Sequence, residues 1–202
     1  MKRLLRIDSS SRKEGSHSRK LADLVEEKWK ASHPKGKVVY RDLADFNVPH
    51  IHNKTIQGFY TPHDQRGASL KAALEISDEL IAELSNVDDI LISSPLYNLN
   101  VPSNLKAYFD QVVRVGKTFG IDEDGKYFGM LKNKGAYLAL CKGGSYLGTP
   151  MEPYDFQEPY LKTILGHMGI ETKRAFSLEG TAYPEQLDKN MMKIKQQILE
   201  TF

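Results

Sequence analysis

Two arrangements of apolar residues alternate along this chain. Short runs of apolar residues bounded by polar, Gly or Pro positions have the length and composition of buried strands: Leu4 to Ile7, Val38 to Tyr40, Ile90 to Ile92, and Gly135 to Leu140. A longer fifth run, Glu171 to Leu178, lies near the end. Between the runs, apolar residues recur at helical spacing, first at Leu21, Leu24, Val25 and Trp29, then at Leu70, Ala73, Leu74, Leu80, Ile81 and Leu84. Leu105, Tyr108, Phe109, Val112 and Val113 mark a third helix, Leu161, Ile164, Leu165 and Met168 a fourth closed by Gly169, and Leu187, Met191, Ile194 and Ile198 a fifth. Strands alternating with helices predict an α/β chain of three layers, a doubly wound parallel sheet, because parallel neighbours need helical crossovers of one hand. The expected strand order is 2-1-3-4-5.

The pattern breaks in two places. From Asp45 to about Gly67 a Pro-, His- and Asn-containing stretch follows no period and reads as an insertion. Between residues 117 and 130, Asp124-Gly125 flanked by aromatic residues predicts a hairpin, which reads as a flap. Residues 1–202 therefore form one domain with insertions near 45–67 and 117–130.

Composition narrows the partners. The formal charge of +2 is close to neutral for 202 residues, and no Lys/Arg block reaches the density of a nucleic-acid or membrane patch. A small-molecule partner is expected, with no nucleic acid and no membrane. The single cysteine, Cys141, rules out an internal disulfide and fits a reducing compartment. MKRLLRID is no signal peptide and no run approaches a membrane span, so a cytoplasmic protein is expected.

In the expected order, the loops after strands 1, 3 and 4 converge on one crevice at the carboxyl edge of the sheet. The first, Ser9 to Ser18, places hydroxyls and free N–H groups at a helix start, with Ser16 and Ser18 as candidate caps, which makes an anion site. It lacks both the nucleoside-triphosphate loop and the dinucleotide glycine fingerprint, so a monophosphate suits it better. The second loop, in SSPLYNLNVPSNLKAYFD, carries Pro95, Leu96, Tyr97, Asn98 and Leu99: a stiff exit from the strand, an aromatic ring and an amide. In the third, Gly143-Gly144 lets backbone approach a flat ring. Phosphate site, amide edge and bare backbone together outline flavin mononucleotide (FMN).

Ser9-Ser10, Ser16-His17-Ser18, Pro95-Leu96-Tyr97-Asn98-Leu99 and Cys141-Lys142-Gly143-Gly144 resemble, in order and spacing, the flavin loops of the FMN-dependent NADH azoreductase family. The similarity extends to the DELIAEL stretch at Asp78, the NLKAYFD stretch at Asn104, and Glu179 to Tyr183. It implies a flavodoxin-like homodimer with one non-covalent FMN per subunit, reduced by NADH or NADPH in a ping-pong cycle that passes electrons to quinones and aromatic azo compounds. Carried over position by position, Ser10, Ser16, His17 and Ser18 would hold the phosphate, Leu96 to Leu99 would line the ring, and Cys141 to Gly144 would meet its other edge. The family's third loop more often reads Ser-Arg-Gly-Gly, so Cys141-Lys142 is a departure. In the family, aromatic residues such as those of the hairpin reach the pocket from the partner subunit, which motivates the homodimer.

No acid, base or nucleophile is assigned a catalytic role, and no metal is expected. His50-x-His52 supplies two ligands only, and Asp122-x-Asp124-Gly125 lacks the later ligands of a calcium loop. Cys141 also reads as a quiet thiol at a strand end. Two other functions fit the same fold class. Asp8-Ser9-Ser10 is similar to the nucleophile strand of SGNH-type serine esterases, although His167 lacks the acid three residues before it. A flavodoxin-like electron carrier would do without nicotinamide, but such carriers are strongly acidic and this chain is not.

Overall fold

The computed structural model describes residues 1–202. Five strands, β1 (Arg3–Asp8), β2 (Lys37–Asp42), β3 (Asp89–Pro95), β6 (Gly135–Cys141) and β7 (Glu171–Leu178), form one parallel sheet in the order β2-β1-β3-β6-β7. This is the expected 2-1-3-4-5 order among the core strands. The two remaining strands, β4 (Phe119–Ile121) and β5 (Tyr127–Gly129), make a separate antiparallel hairpin. Six helices complete the chain: α1 (His17–Ser32), α2 (Asn53–Tyr60), α3 (Ala68–Ser85), α4 (Ser103–Val112), α5 (Gln157–His167) and α6 (Pro184–Thr201).

Strand alternation divides the core in two. Leu5, Ile7, Ile90, Ile92, Leu138 and Leu140 face Leu80, Leu84, Leu105, Phe109, Leu161 and Leu165 of α3, α4 and α5. On the other face, Leu4, Leu91, Ala139, Cys141 and Phe176 meet Leu21, Val25 and Trp29 of α1 and Ile194 and Ile198 of α6. β3 is buried from Asp89 through Ser94, which explains why its sequence is a continuous run rather than an alternation. Trp29 reaches across to donate its indole N–H to the buried carboxylate of Asp89 at 3.0 Å.

The stretch from Asp45 to Gly67 is more regular than expected, for it contains α2. This helix buries Thr55 and Gly58 rather than large apolar side chains, so hydrophobic spacing does not mark it. Its Thr55 hydroxyl accepts the N–H of His52, and Phe59 lies under the guanidinium of Arg114 at 4.8 Å.

The hairpin forms as expected, its turn closed by the Asp122 carboxylate, which accepts the N–H groups of Asp124 and Lys126. It is not a flap over this chain's own crevice. Phe119 packs against His167, ring centroids 4.4 Å apart and tilted by 46°, and Leu131 donates its N–H to Met168, both at the far end of α5 from Gln157, whose side chain bonds Ser94 at the carboxyl end of β3. The hairpin thus sits at the amino edge of the sheet and leaves Ile121, Tyr127, Phe128 and Met130 exposed. Close backbone contact holds it there: a Cβ on Gly129 would overlap the N and Cα of Gly169, where α5 ends.

Gly129→Ala is expected to lower the stability of the chain by about 2 kcal/mol, the cost of overpacking a filled contact. Urea unfolding monitored by circular dichroism measures it, and a midpoint equal to that of the unaltered chain would contradict the contact.

Candidate functional site

The first loop begins where β1 ends. Ser9 is fixed to β3 by two bonds to the carbonyl of Ser93, from its N–H at 3.0 Å and its hydroxyl at 2.8 Å. Ser16 caps α1, its hydroxyl accepting the N–H of Arg19 at 3.4 Å and lying 3.2 Å from that of Ser18. The N–H groups of Gly15, Ser16, His17 and Ser18 have no partner within the chain. Ser16 and Ser18 are nonetheless buried, at 6% and 1% exposure. Unpaired donors at a buried helix start favour an anion, supported by the helix dipole. The His17 imidazole is pushed below its ordinary value by burial first and then by Lys20 and Arg12, so this end of α1 already carries positive charge.

Arg19 shapes this loop. Its guanidinium grips both oxygens of Asp42 at 2.6 and 2.7 Å, at the end of β2, while donating to the carbonyls of Ser10 at 2.8 Å and Arg12 at 3.2 Å. The carbonyls are drawn toward Arg19. The Ser10 hydroxyl is bonded to the backbone of Arg12 in both directions. No triad surrounds it, because His167 lies at the opposite end of α5, and the esterase alternative fails on geometry.

In the second loop, Tyr97 and Asn100 exchange backbone bonds of 2.9 and 3.1 Å around a two-residue turn. Both central residues lie in the left-handed region, Asn98 at φ 48° and Leu99 at φ 70°. For leucine that conformation costs on the order of 1 kcal/mol, and surrounding bonds must hold it. One is the N–H of Phe156, donated to the Leu99 carbonyl at 3.1 Å. The turn leaves the N–H groups of Asn98 and Leu99 unpaired and the ring of Tyr97 exposed. Pro95 ends β3 in register with Cys141, and Leu96 donates its N–H to the Cys141 carbonyl at 2.8 Å, which joins the second loop to the third.

In the third loop, the two side chains that depart from the resembling pattern turn away from the crevice. The Cys141 side chain points into the core under α1 and α6, and burial pushes its thiol up to about 12, so it stays protonated and inert. Lys142 is also buried, and its ammonium is taken by Asp155 and Glu179. Its N–H and carbonyl are engaged by Leu178 and Thr181. Neither residue presents a side chain to the crevice. At Gly143 and Gly144 the backbone is free: their N–H groups and that of Ser145 are unpaired. A Cβ on Gly143 would find its nearest neighbour at 3.9 Å and one on Gly144 at 3.8 Å, so the glycine backbone is open to a flat partner.

All three loops leave the same edge of the sheet, as the parallel pairing of β1, β3 and β6 requires. Of the sequence-based site residues, Ser10, Ser16, His17, Ser18, Pro95, Leu96, Tyr97, Asn98, Leu99, Gly143 and Gly144 lie along that edge. The supporting residues Arg19, Asp42, Asp155, Gln157 and Glu179 were not foreseen. Their only signal is a charge or amide in a segment that reads as ordinary strand end or helix start.

A family model described as flavodoxin-like fold matches residues 2–202. Among curated relatives, the FMN-dependent NADH:quinone oxidoreductase of Xanthobacter autotrophicus is 49% identical over 173 residues, covering 84% of this chain and 82% of that protein. The protein of the same name from Marinomonas sp. is 42% identical over 198 residues, 98% of each. Among solved structures, the azoreductase AzrA superimposes with a TM-score of 0.90 at 23% identity, covering 98% of this chain and 97% of that one. An FMN-dependent NADH-azoreductase from Bacillus anthracis, crystallised with FMN, gives 0.85 at 22% identity, with 99% of each chain covered. At these identities the structures show a shared fold.

Two outcomes follow from the geometry. Leu99→Ile places a branched Cβ at φ 70° and is expected to cost about 1 kcal/mol or more in urea unfolding; no cost would mean the turn is not held in that conformation. Arg19 first, and then the Ala44 N–H, hold the Asp42 carboxyl below its ordinary value, so its contribution to stability is present above the usual carboxylate range and lost as pH falls through the lowered pKa. Asp42→Asn should therefore destabilise the chain by about 1 kcal/mol near neutrality, with the difference shrinking as pH falls below the usual carboxylate range. A pH series of thermal melts of both proteins checks this.

Proposed function

The chain belongs to the family of FMN-dependent NADH:quinone oxidoreductases built on the flavodoxin-like fold, and on that premise we propose that its three loops hold one FMN at the carboxyl edge of the sheet. The observation that carries this reading is the set of unpaired N–H groups at all three loops, on Ser16 to Ser18, Asn98 and Leu99, and Gly143 to Ser145. These residues fit the group: a helix start with buried serines for the phosphate, an amide-lined turn for a polar ring edge, and bare glycine backbone for a flat surface. When bound, FMN accepts two electrons from NADH and passes them to a quinone.

This chain's residues supply binding and orientation. Ser10, Ser16, His17 and Ser18 form the phosphate site, with the α1 dipole and the nearby Arg12 and Lys20 charges favouring the anion. The N–H groups of Asn98 and Leu99 stabilise negative charge that develops on a bound heterocycle, by the logic of an oxyanion hole. Tyr97 and Phe156, both exposed and tied by backbone bonds to the strained turn, offer apolar surface to flat acceptors there. A slot that serves donor and acceptor in turn accounts for a ping-pong cycle. Two such turns of the cycle, two electrons each, would supply the four electrons that reduction of an aromatic azo bond needs. NADH is the expected donor, as in the relatives' names.

A homodimer accords with the hairpin, which stands away from its own chain's crevice and keeps Tyr127 and Phe128 largely exposed even though they lie against His167 and Gly120. No helix is long and apolar enough to cross a membrane, and the free buried Cys141 fits a reducing cytoplasm.

The purified protein should show a flavin spectrum that bleaches with NADH under anaerobic conditions and recovers on adding a quinone. A colourless protein that takes up no FMN would overturn the reading, and a flavin indifferent to NADH would favour an electron carrier. A second outcome concerns pH. Phosphate beside His17 favours its protonated form, so binding takes up a proton and affinity rises as pH falls. FMN should bind the flavin-free chain about threefold more tightly near pH 6.5 than near pH 8. His17→Asn should flatten this dependence, as should replacing FMN by riboflavin; fluorescence titration measures both.

A further inference from the structure

Lys142 turns its side chain away from the crevice, and its surroundings give it a task. Its side chain is 3% exposed and lies between two carboxylates, 2.5 Å from Asp155 and 3.1 Å from Glu179. Each carboxylate continues to a different loop of the site. The other oxygen of Asp155 accepts the N–H of Gln157 at 3.1 Å, at the start of α5, and Gln157 bonds the Ser94 carbonyl at the end of β3. The residue between them, Phe156, gives its N–H to the carbonyl of Leu99 in the strained turn. Glu179, for its part, accepts the N–H groups of Tyr146 at 2.7 Å and Leu147 at 3.1 Å, immediately beyond the unpaired N–H groups of Gly143 to Ser145.

We propose that Lys142 is a positioning residue: one buried cation that holds the Asn98-Leu99 turn through Asp155 and the Gly143-Gly144 backbone through Glu179, without itself touching the cofactor. The inference rests on the FMN reading for its consequence in binding, but the clamp itself is a property of the flavin-free chain. An ammonium offers three donors in a compact head, enough for two carboxylates at once. Without it, two partly buried carboxylates would face each other uncompensated, and repulsion would push both arms apart. Arginine keeps the charge and the donors, while methionine keeps the length and loses both.

The test uses Lys142→Met, Lys142→Arg, Asp155→Asn and Glu179→Gln in the full chain, read by amide hydrogen exchange without flavin and by FMN titration. The turn is reported by the N–H groups of Tyr97 and Asn100, which bond each other's carbonyls. The third loop is reported by Gly180 and Ala182, which donate to Gly144 and Gly143. Lys142→Met is expected to speed exchange at both reporters and to raise the FMN dissociation constant about tenfold, as the binding-competent shape becomes a minor population. Lys142→Arg should restore most of both. Asp155→Asn should loosen the turn alone, and Glu179→Gln the third loop alone.

Ile198→Ala, a core change in α6 remote from the crevice, controls for a general loss of stability. If Lys142→Met lowers the melting temperature but matches Ile198→Ala at both reporters and in FMN affinity, Lys142 is only a structural residue and the proposal fails. It fails equally if either carboxylate variant loosens both loops or the wrong one. Should the unaltered chain bind no FMN, the functional reading falls, while the exchange pattern still decides the clamp.

Discussion

The placement of β3 between β1 and β6 is the constraint on which the rest of the structure depends. Ile92 pairs with Ile7 on one side and Leu138 on the other, and all three strands run the same way. Parallel pairing leaves no choice about where their loops emerge: each must leave the carboxyl edge and return through a helix on a face. A strand buried on both faces and paired on both sides cannot slip by one residue without turning its apolar side chains to the wrong layer. The register that builds the core therefore also sets the spacing between the serine loop, the strained turn and the glycine loop.

Within that frame the division of labour is unusual in one respect. The groups free to bind are mostly backbone N–H groups, and the polar side chains hold the backbone in place. Arg19 draws two carbonyls of the first loop toward Asp42, Gln157 fixes the end of β3, and Lys142 joins Asp155 to Glu179. Recognition of this kind depends on shape more than on residue identity.

The sheet was legible in the sequence because buried parallel strands are continuous apolar runs and the helices between them have a clear period. The crevice was legible for a similar reason: it lies at strand ends, and its serines, Tyr97-Asn98 and Gly143-Gly144 are types whose chemistry does not depend on orientation. Orientation was the missing information elsewhere. Cys141 and Lys142 occupy the expected loop, but which face a strand-end side chain takes is decided by strand parity and by distant carboxylates. Helix α2 escaped notice because it buries Thr55 and Gly58, small residues with no hydrophobic signature. The hairpin was recognised from Asp124-Gly125, whereas its place at the amino edge follows from the contact between Gly129 and Gly169, forty residues apart in sequence.

The most direct measurement of the central claim is a backbone amide nuclear magnetic resonance titration of the flavin-free protein with FMN. The account predicts that the largest shifts fall together, at one saturating stoichiometry, on Ser16 to Ser18, Asn98 and Leu99, and Gly143 to Ser145. Shifts confined to one of these loops, or centred elsewhere on the molecule, would contradict a single crevice built from three strand ends.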